Sequence, residues 1–279
     1  MTLLSSTSVS RRLRWTPVLL VAAGSCVIAP AAAGDDAPRG SVEPATARST
    51  VTTAADTRMS GRGTATSAIG ASAVAGALAG GGDPHAYAFI AQVDGRPVHW
   101  DRCRRIGYRV SLRRAPQRGL RQAKQAVGRV AEASGLRFDY QGTSTVRPRL
   151  SADYQRGTRL VIGWMTAAES PPLAGGVAGY GGPAYRTDRG HRGEIVKAFV
   201  QLDASLNNDL ADGFGAGPRR GVQGTKGQLL MHEISHAVGL DHVRDRRQIL
   251  YRSLTRKKAV FGAGDRNGLQ RVGERQPCF

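Results

Sequence analysis

The chain has 279 residues, a formal net charge of +19 and 6% aromatic residues. This length suits one folded domain with an amino-terminal extension. The low aromatic content and the lack of a nucleic-acid-binding motif argue against specific nucleic-acid recognition. The positive charge favours anionic partners, either acidic proteins or anionic cell-wall polymers. The alternative is that the basic surface contacts only solvent and has no dedicated partner.

Residues 1–33 have the pattern of a signal peptide. Three arginines between positions 11 and 14 precede a short apolar run rich in small residues, and Ala31-Ala32-Ala33 suits a cleavage site. Glycine, serine and proline interrupt the run, which is short for a membrane span. Lipidation at Cys26 is an alternative with a poor motif. We expect a secreted monomer, extracellular or cell-wall associated, without a transmembrane span and with a charge of +16 after the three arginines leave.

Residues 34–84 form a low-complexity segment that is rich in alanine, glycine, serine and threonine. Such a composition buries too little apolar surface to offset the entropy of ordering the chain. We interpret this segment as a linker or a propeptide. The folded domain is then expected at residues 85–279.

The expected domain begins with a strand and a helix. Ile106, Tyr108, Val110 and Leu112 alternate with glycine or polar residues, which predicts a strand with one buried face. Residues 116–133 then carry apolar side chains at helical spacing, and a glycine follows as a stop signal.

Further strands follow this helix. Residues 136–140 and 160–165 read as strands, while the glycine-rich residues 174–182 read as a loop. Residues 194–205 alternate again and predict another strand. This order indicates an α/β (α+β) domain with a mixed, twisted sheet.

Two cysteines remain once a signal peptide that contains Cys26 is removed. Cys103 and Cys278 are an even number in an exported protein, so we expect a disulfide between them. Two free thiols are the alternative.

The run from His232 to His242 has the pattern HExxHxxGxxH. On a helix, His232 and His236 point to the same side and can reach one zinc ion. Glu233 stands where a carboxylate can take a proton from zinc-activated water. Gly239 suits a left-handed turn that ends the helix and returns His242 as the third ligand. Three nitrogen ligands leave one position open, which is the pattern of a catalytic zinc.

The predicted helix has two different faces. Leu230, Ile234 and Ala237 share an apolar stripe, and His232 and His236 lie almost opposite. We expect one face in the core and the other on a cleft. A surface helix with chance histidines is the alternative.

The motif resembles the zinc signature of the metzincin metallopeptidases, in particular a secreted bacterial matrixin-like member. The resemblance is strong over residues 221–251 and implies a metzincin-like zincin fold with a zinc-binding active-site helix. It further implies that His232, His236 and His242 bind zinc and that Glu233 is the general base.

The resemblance also implies a Met-turn beneath the metal. The matching segment is Gln248–Tyr251, with Leu250 where the family has methionine. Because this residue packs below the metal and does not bind it, a near volume-conserving change should cost under about 1.5 kcal/mol.

Two other metzincin features, a substrate-binding edge strand and a latency residue, can be compared with this sequence. The last strand before the zinc helix, here residues 194–205, is expected at the sheet edge, where it would bind an extended peptide by strand addition. A plain sheet strand is equally compatible. The family often keeps a cysteine or aspartate on the zinc for latency. Residues 34–82 contain no cysteine, and Asp83 fits a turn better than such a switch.

The resemblance therefore implies a secreted zinc metalloendopeptidase that acts on protein or peptide substrates. It would hydrolyse peptide bonds with zinc-activated water and Glu233 as general base. One alternative is a cationic cell-surface binding protein on a metzincin scaffold with little or no turnover. Another is a zinc hydrolase that acts on a non-peptide amide.

Overall fold

The computed structural model describes residues 81–187 and 192–279, together with two short strands at residues 19–20 and 25–27. Most of the expected signal peptide, and the low-complexity segment up to residue 80, lie outside the described residues, so both remain predictions. The described part is a mixed α/β arrangement with a mostly parallel central sheet and several helices. This agrees with the fold class expected from the order of the elements.

The described strands are β1 (Leu19–Leu20), β2 (Ser25–Val27), β3 (Ala88–Phe89), β4 (Gln92–Val93), β5 (Arg96–Pro97), β6 (His99–Trp100), β7 (Ile106–Ser111), β8 (Phe138–Thr143), β9 (Leu160–Met165), β10 (Val177–Thr187), β11 (Gly193–Asp203) and β12 (Leu240–Asp241). The described helices are α1 (Gly119–Ser134), α2 (Ala204–Asp209), α3 (Lys226–Ala237) and α4 (Ala263–Val272). A 3₁₀ turn spans Pro171–Leu173.

The central sheet has the strand order β1-β10-β11-β9-β7-β8. Strands β7, β8, β9 and β11 run parallel to one another, whereas β10 runs antiparallel to β11. The outer edge of β10 pairs with β1 and β2, also antiparallel. β10 is therefore the last long strand on its side of the described sheet.

The strand predicted from Ile106 onwards is confirmed as β7, but its burial differs from the prediction. Tyr108, Val110 and Ser111 are all buried, so both faces of this inner parallel strand are covered. Leu112, which the alternation placed on the buried face, is 42% exposed because the strand has ended one residue earlier.

The predicted helix at residues 116–133 is confirmed as α1, with a later start. Pro116 accepts a hydrogen bond from Gly119 in a turn before the helix. Ala123, Val127 and Val130 form its buried face. Gly135 ends the helix at φ 71° and donates its N–H to the backbone of the last turn, as the glycine stop signal predicted.

The loop predicted at residues 174–182 is wrong from Val177 onwards. Gly175 and Gly176 do form a turn with positive φ, but Gly179 and Gly181 belong to strand β10. A Cβ atom on Gly181 would lie 2.6 Å from the carbonyl oxygen of Glu233. These later glycines allow close packing of β10 on α3 rather than a chain reversal.

The prediction that residues 194–205 form the sheet edge is also wrong. They form β11, which lies between β10 and β9. Successive residues of β11 from Ala198 to Asp203 are buried, as expected for a strand with neighbours on both sides. The edge is β10 instead.

Helix α3 packs against α1 and β10. Its Leu229 and Ile234 are completely buried, and Trp100 of β6 donates its indole N–H to the carbonyl of Ala237 at 3.1 Å. The beginning of the domain thus holds the end of α3 in place. None of the described helices combines the length and apolar character needed to cross a membrane.

Cys103 and Cys278 come together although they are 175 residues apart in the chain. Their Cα atoms are 5.6 Å apart, which is a separation typical of disulfides. The pairing expected from the cysteine count is therefore compatible with the fold.

Candidate metal centre

Helix α3 is capped at its start and buried along its length. The hydroxyl of Thr225 accepts a hydrogen bond from the backbone N–H of Gln228 at 3.1 Å, which satisfies one free donor of the first turn. Every residue from Gly227 to Ala237 is buried. His232 and His236 are both 0% exposed, so the structure closes around these two rings on the face that the sequence predicted to lie on a cleft.

A glycine turn brings the third histidine back to the helix. Gly239 has φ 115°, a conformation that disfavours other residues, and a Cβ atom there would lie 2.9 Å from the carbonyl oxygen of Val98. Its own carbonyl accepts a hydrogen bond from Ile90 at 2.9 Å. The chain then forms β12 and reaches His242, as the motif predicts.

The three histidines converge on one point. The Nε2 atoms of His232 and His236 are 3.0 Å apart, and His242 Nε2 lies 3.0 Å and 3.3 Å from them. The geometry of zinc bound to three imidazoles, with Zn–N distances of about 2.0–2.1 Å and tetrahedral angles, places ligand nitrogens about 3.3 Å apart. The side chains that the motif predicted as ligands therefore fit a zinc ion.

Backbone carbonyls orient two of these rings. His232 Nδ1 lies 2.7 Å from the carbonyl oxygen of Ile249, and His236 Nδ1 lies 2.8 Å from that of Leu240. Because a carbonyl only accepts hydrogen bonds, Nδ1 must carry the proton in each ring, which leaves the Nε2 lone pairs free. Lone pairs that face one another at this distance repel, and a cation bound between them would relieve the repulsion.

The surroundings also keep the three rings neutral. Burial lowers the pKa of His232 well below its ordinary value, helped by the other two histidines, and lowers the pKa of His236 to about 4. The pKa of His242 is lowered mainly by burial, while Asp241 raises it. Neutral imidazole is the form that binds a metal.

Glu233 is the second chemical feature of the site. Neither of its carboxylate oxygens has a hydrogen-bond partner among the described residues, and its exposure is 0%. Burial raises its pKa well above the ordinary value. A Cβ atom on Gly179 would lie 2.6 Å from Glu233 Oε1, so β10 passes directly over this carboxylate. A buried acid with no partner is suited to exchanging a proton with a bound molecule.

Leu250, the residue at the expected Met-turn position, is 1% exposed. The backbone around it is held by Asp265, which sequence reasoning missed. Asp265 Oδ2 accepts hydrogen bonds from the N–H groups of Ile249 at 2.6 Å and Gly262 at 2.9 Å, and its Oδ1 accepts from that of Leu250 at 3.2 Å. Asp265 thus fixes the segment whose carbonyl orients His232.

The sequence signal of Asp265 is weak. It is the acidic residue in the first turn of α4, which predicts only a helix cap. It is 1% exposed, and burial raises its pKa to about 7 against the opposing effect of its three backbone hydrogen bonds. Only the packing of α4 beneath residues 249–250 reveals its place in the site.

Asp83 and the cluster around the cysteine pair were two other candidates for a role at a metal. Asp83 accepts a hydrogen bond from His85 N–H at 2.8 Å, so it forms the turn that the sequence favoured over a latency switch. Asp101, Cys103 and Cys278 lie within ligand distance of one another, but the two sulfurs are placed as a disulfide. In the described part of the chain, the three motif histidines are therefore the cluster that offers a metal free ligand atoms.

No family model matches this chain, and no match was found among curated proteins. The geometry and chemistry of the site itself are therefore the basis for a functional proposal.

Proposed function

We propose that this chain is a secreted zinc-dependent endopeptidase with a metzincin-like catalytic domain. The observation that carries the proposal is the convergence of three neutral histidines, with Nε2 separations of 3.0–3.3 Å, beside an unpartnered buried carboxylate. A structural zinc site uses four protein ligands and needs no free acid, whereas a catalytic site keeps one position open.

Each residue of the site has a role in peptide hydrolysis. Zinc, when bound, supplies Lewis-acid chemistry that activates water and polarises the scissile carbonyl. His232, His236 and His242 would hold the ion through Nε2. Glu233 takes a proton from the attacking water and later gives it to the leaving amine. The raised pKa of Glu233 makes its carboxylate a stronger proton acceptor than an exposed glutamate.

The outer edge of β10 supports an extended peptide as the substrate. In the structure this edge pairs with an extended segment of the chain itself, with Gly179 opposite Cys26 and Tyr180 opposite Ser25. Since Gly179 lies over Glu233, a peptide paired in this way would pass beside the catalytic carboxylate. β1 and β2 belong to the predicted signal peptide, so its removal would free the edge.

Two substitutions separate the proposed roles. Glu233→Gln should keep one zinc per chain, because Glu233 is not a ligand, but should lose about 10²- to 10⁴-fold in rate with the general base. His236→Ala should lose both the metal and the activity. Glu132→Gln removes an exposed carboxylate on α1 and is the matched control, which should behave as the wild type.

The decisive measurement combines zinc content with cleavage of casein and a peptide library. Activity should disappear with a chelator and return with zinc. The proposal is wrong if the wild type holds one zinc but cleaves no peptide bond, or if Glu233→Gln cleaves as fast as the wild type. The first of these results would favour the binding-protein alternative.

A further inference from the structure

We propose that a small cavity apart from the metal centre binds a small anion that carries its own O–H donor, such as hydrogen phosphate or a 2-hydroxy acid. This inference does not rest on the proposed peptidase function, because none of the metal-centre residues lines the cavity. The cavity, called here the His99 cavity, has a volume of about 160 Å³. A cavity of about 150 Å³ can hold benzene, so this one suits a ligand of about six non-hydrogen atoms.

Three distant parts of the chain form the walls of the His99 cavity. Arg96 and His99 come from β5 and β6, Arg192 comes directly before β11, and residues 276–277 complete the lining. Strand β6 pairs in parallel with the start of β11. Arg192 Nη1 donates to the carbonyl of Cys278 at 3.0 Å and holds the third part in place. The walls are therefore fixed by contacts within the chain.

His99 offers the cavity a hydrogen-bond acceptor. It is 2% exposed, and its Nδ1 lies 2.9 Å from the carbonyl oxygen of Trp100. Because a carbonyl only accepts hydrogen bonds, Nδ1 carries the proton and Nε2 of the neutral ring keeps a lone pair. Burial lowers the pKa of His99, and the charge of Arg192 acts in the same direction, so the neutral ring is favoured. Nε2 has no hydrogen-bond partner in the described part of the chain and needs a donor from a ligand or from water.

Arg96 and Arg192 give the cavity a positive charge. Arg96 is exposed whereas His99 is buried, so Arg96 stands at the open side of the cavity and His99 at its inner side. The guanidinium of Arg192 lies over the ring of Phe279, 4.8 Å from its centroid. The same ring packs on His99 with centroids 4.6 Å apart, which fixes Arg192 close to His99. Among the described residues that line the cavity, none is acidic.

Two buried carboxylates near His99 already have cationic partners. Glu194 lies opposite His99 in the sheet, and its Oε2 accepts hydrogen bonds from Arg186 at 2.9 Å and 2.6 Å. Asp101 Oδ2 pairs with Arg104 at 3.2 Å. Neither acid is therefore left unpaired to repel an anion in the cavity.

A ligand of the His99 cavity must satisfy both the cations and the acceptor. A guanidinium binds an oxyanion through its N–H groups, whereas His99 Nε2 needs a donor. Hydrogen phosphate meets both needs with its oxygens and its P–O–H group, and lactate does so with its carboxylate and its hydroxyl. Sulfate and propionate have similar sizes but carry no O–H at neutral pH, so they would leave Nε2 unpaired. Leaving a buried polar group unpaired should weaken binding by at least about five-fold.

The test measures the binding of two pairs of anions by titration calorimetry. Phosphate is compared with sulfate, and lactate with propionate, at about pH 7.5, where His99 is neutral, and in about 0.3 M chloride, which screens the basic surface. His99→Asn keeps a side-chain N–H for the carbonyl of Trp100 but removes the acceptor, and Arg96→Gln removes the exposed cation. Arg121→Gln removes an exposed cation on α1 and is the control for net charge. Melting temperatures show whether each variant is folded.

The wild type should prefer the O–H-bearing member of at least one pair by about five-fold or more, and that pair identifies the ligand as phosphate or as a 2-hydroxy acid. His99→Asn should lose the preference, Arg96→Gln should bind the anions several-fold more weakly, and Arg121→Gln should match the wild type. The inference is overturned if the wild type binds none of the four anions or shows no preference within either pair. It is equally overturned if binding is unchanged in Arg96→Gln and the preference persists in His99→Asn, because the anion would then lie elsewhere, for example on a bound zinc.

Discussion

Replacement of Gly179 by alanine should disable Glu233 without removing the metal. In the structure, a Cβ atom at position 179 would lie 2.6 Å from Glu233 Oε1 and 2.7 Å from both Cδ and Cγ. Carbon atoms in contact normally stay about 3.5–4.0 Å apart, so the added methyl group must displace the carboxylate by about 1 Å. Glu233 is completely buried and has little room to yield.

The expected effect has two parts. Overpacking of this kind typically costs about 1–3 kcal/mol of stability, so the folded state should survive with a lower melting temperature. A displacement of about 1 Å at a catalytic group can cost about 10²-fold in rate. Since the three atoms nearest to this Cβ position all belong to Glu233, zinc content should stay at one per chain.

The assay measures kcat/KM on a peptide, zinc content and the unfolding temperature of the same samples. Gly128→Ala is the matched control, because a Cβ atom at this position of α1 meets no atom within 4 Å. Alanine there should stabilise the helix by up to about 1 kcal/mol and leave activity unchanged. Wild-type activity in folded, zinc-loaded Gly179→Ala would show that β10 does not cover Glu233 as described.

Three further predictions concern residues around the site and the edges of the fold. Asp265→Asn should leave at least one backbone N–H without an acceptor, at a cost of about 1–3 kcal/mol of stability. The same change should weaken zinc binding about 10- to 100-fold in a chelator competition. Unchanged zinc affinity would argue against a positioning role for Asp265. Mass spectrometry without reduction should find Cys103 linked to Cys278. Reduction should lower the free energy of unfolding by up to about 5 kcal/mol, from the chain-entropy model for a loop of this length. Two alkylatable thiols in the unreduced protein would contradict the prediction. A hydrogen bond from Arg114, with help from the backbone of Thr166, holds the pKa of Glu169 at about 2. Because the folded pKa lies below the unfolded one, Glu169 stabilises the fold above about pH 4.5, and this contribution is lost as the pH falls. Glu169→Gln should therefore cost about 1 kcal/mol at pH 7, limited by the solvent exposure of the arginines. In unfolding curves, the difference from wild type should shrink between about pH 4.5 and pH 2.

Local features of the fold were predictable where a short stretch of chain decides the outcome. Helix α1 and its glycine stop depend on side-chain spacing and on one backbone conformation, both readable from neighbouring residues. The strand at Leu160–Met165 was predicted at its observed bounds because an uninterrupted apolar run of this length fits a buried parallel strand.

The wrong predictions involve glycine and strand order. Glycines at 179 and 181 suggested a loop, because sequence alone does not distinguish a glycine needed for a turn from one needed for close packing. The position of β11 inside the sheet depends on which strands pair, and β10 takes the edge only after the chain reverses between them. Neither outcome is encoded within a local window of residues.

The sequence by itself determined which histidines converge and which acid lies beside them, because the spacing of His232, Glu233 and His236 on one helix and the turn at Gly239 are local geometry. Tertiary structure decided what surrounds them. Asp265 reaches the site from a helix that begins 13 residues after Leu250, and β10 covers Glu233 from more than 40 residues upstream. Contacts between residues so far apart form only when sheet and helices pack, so their role could not be read from the chain.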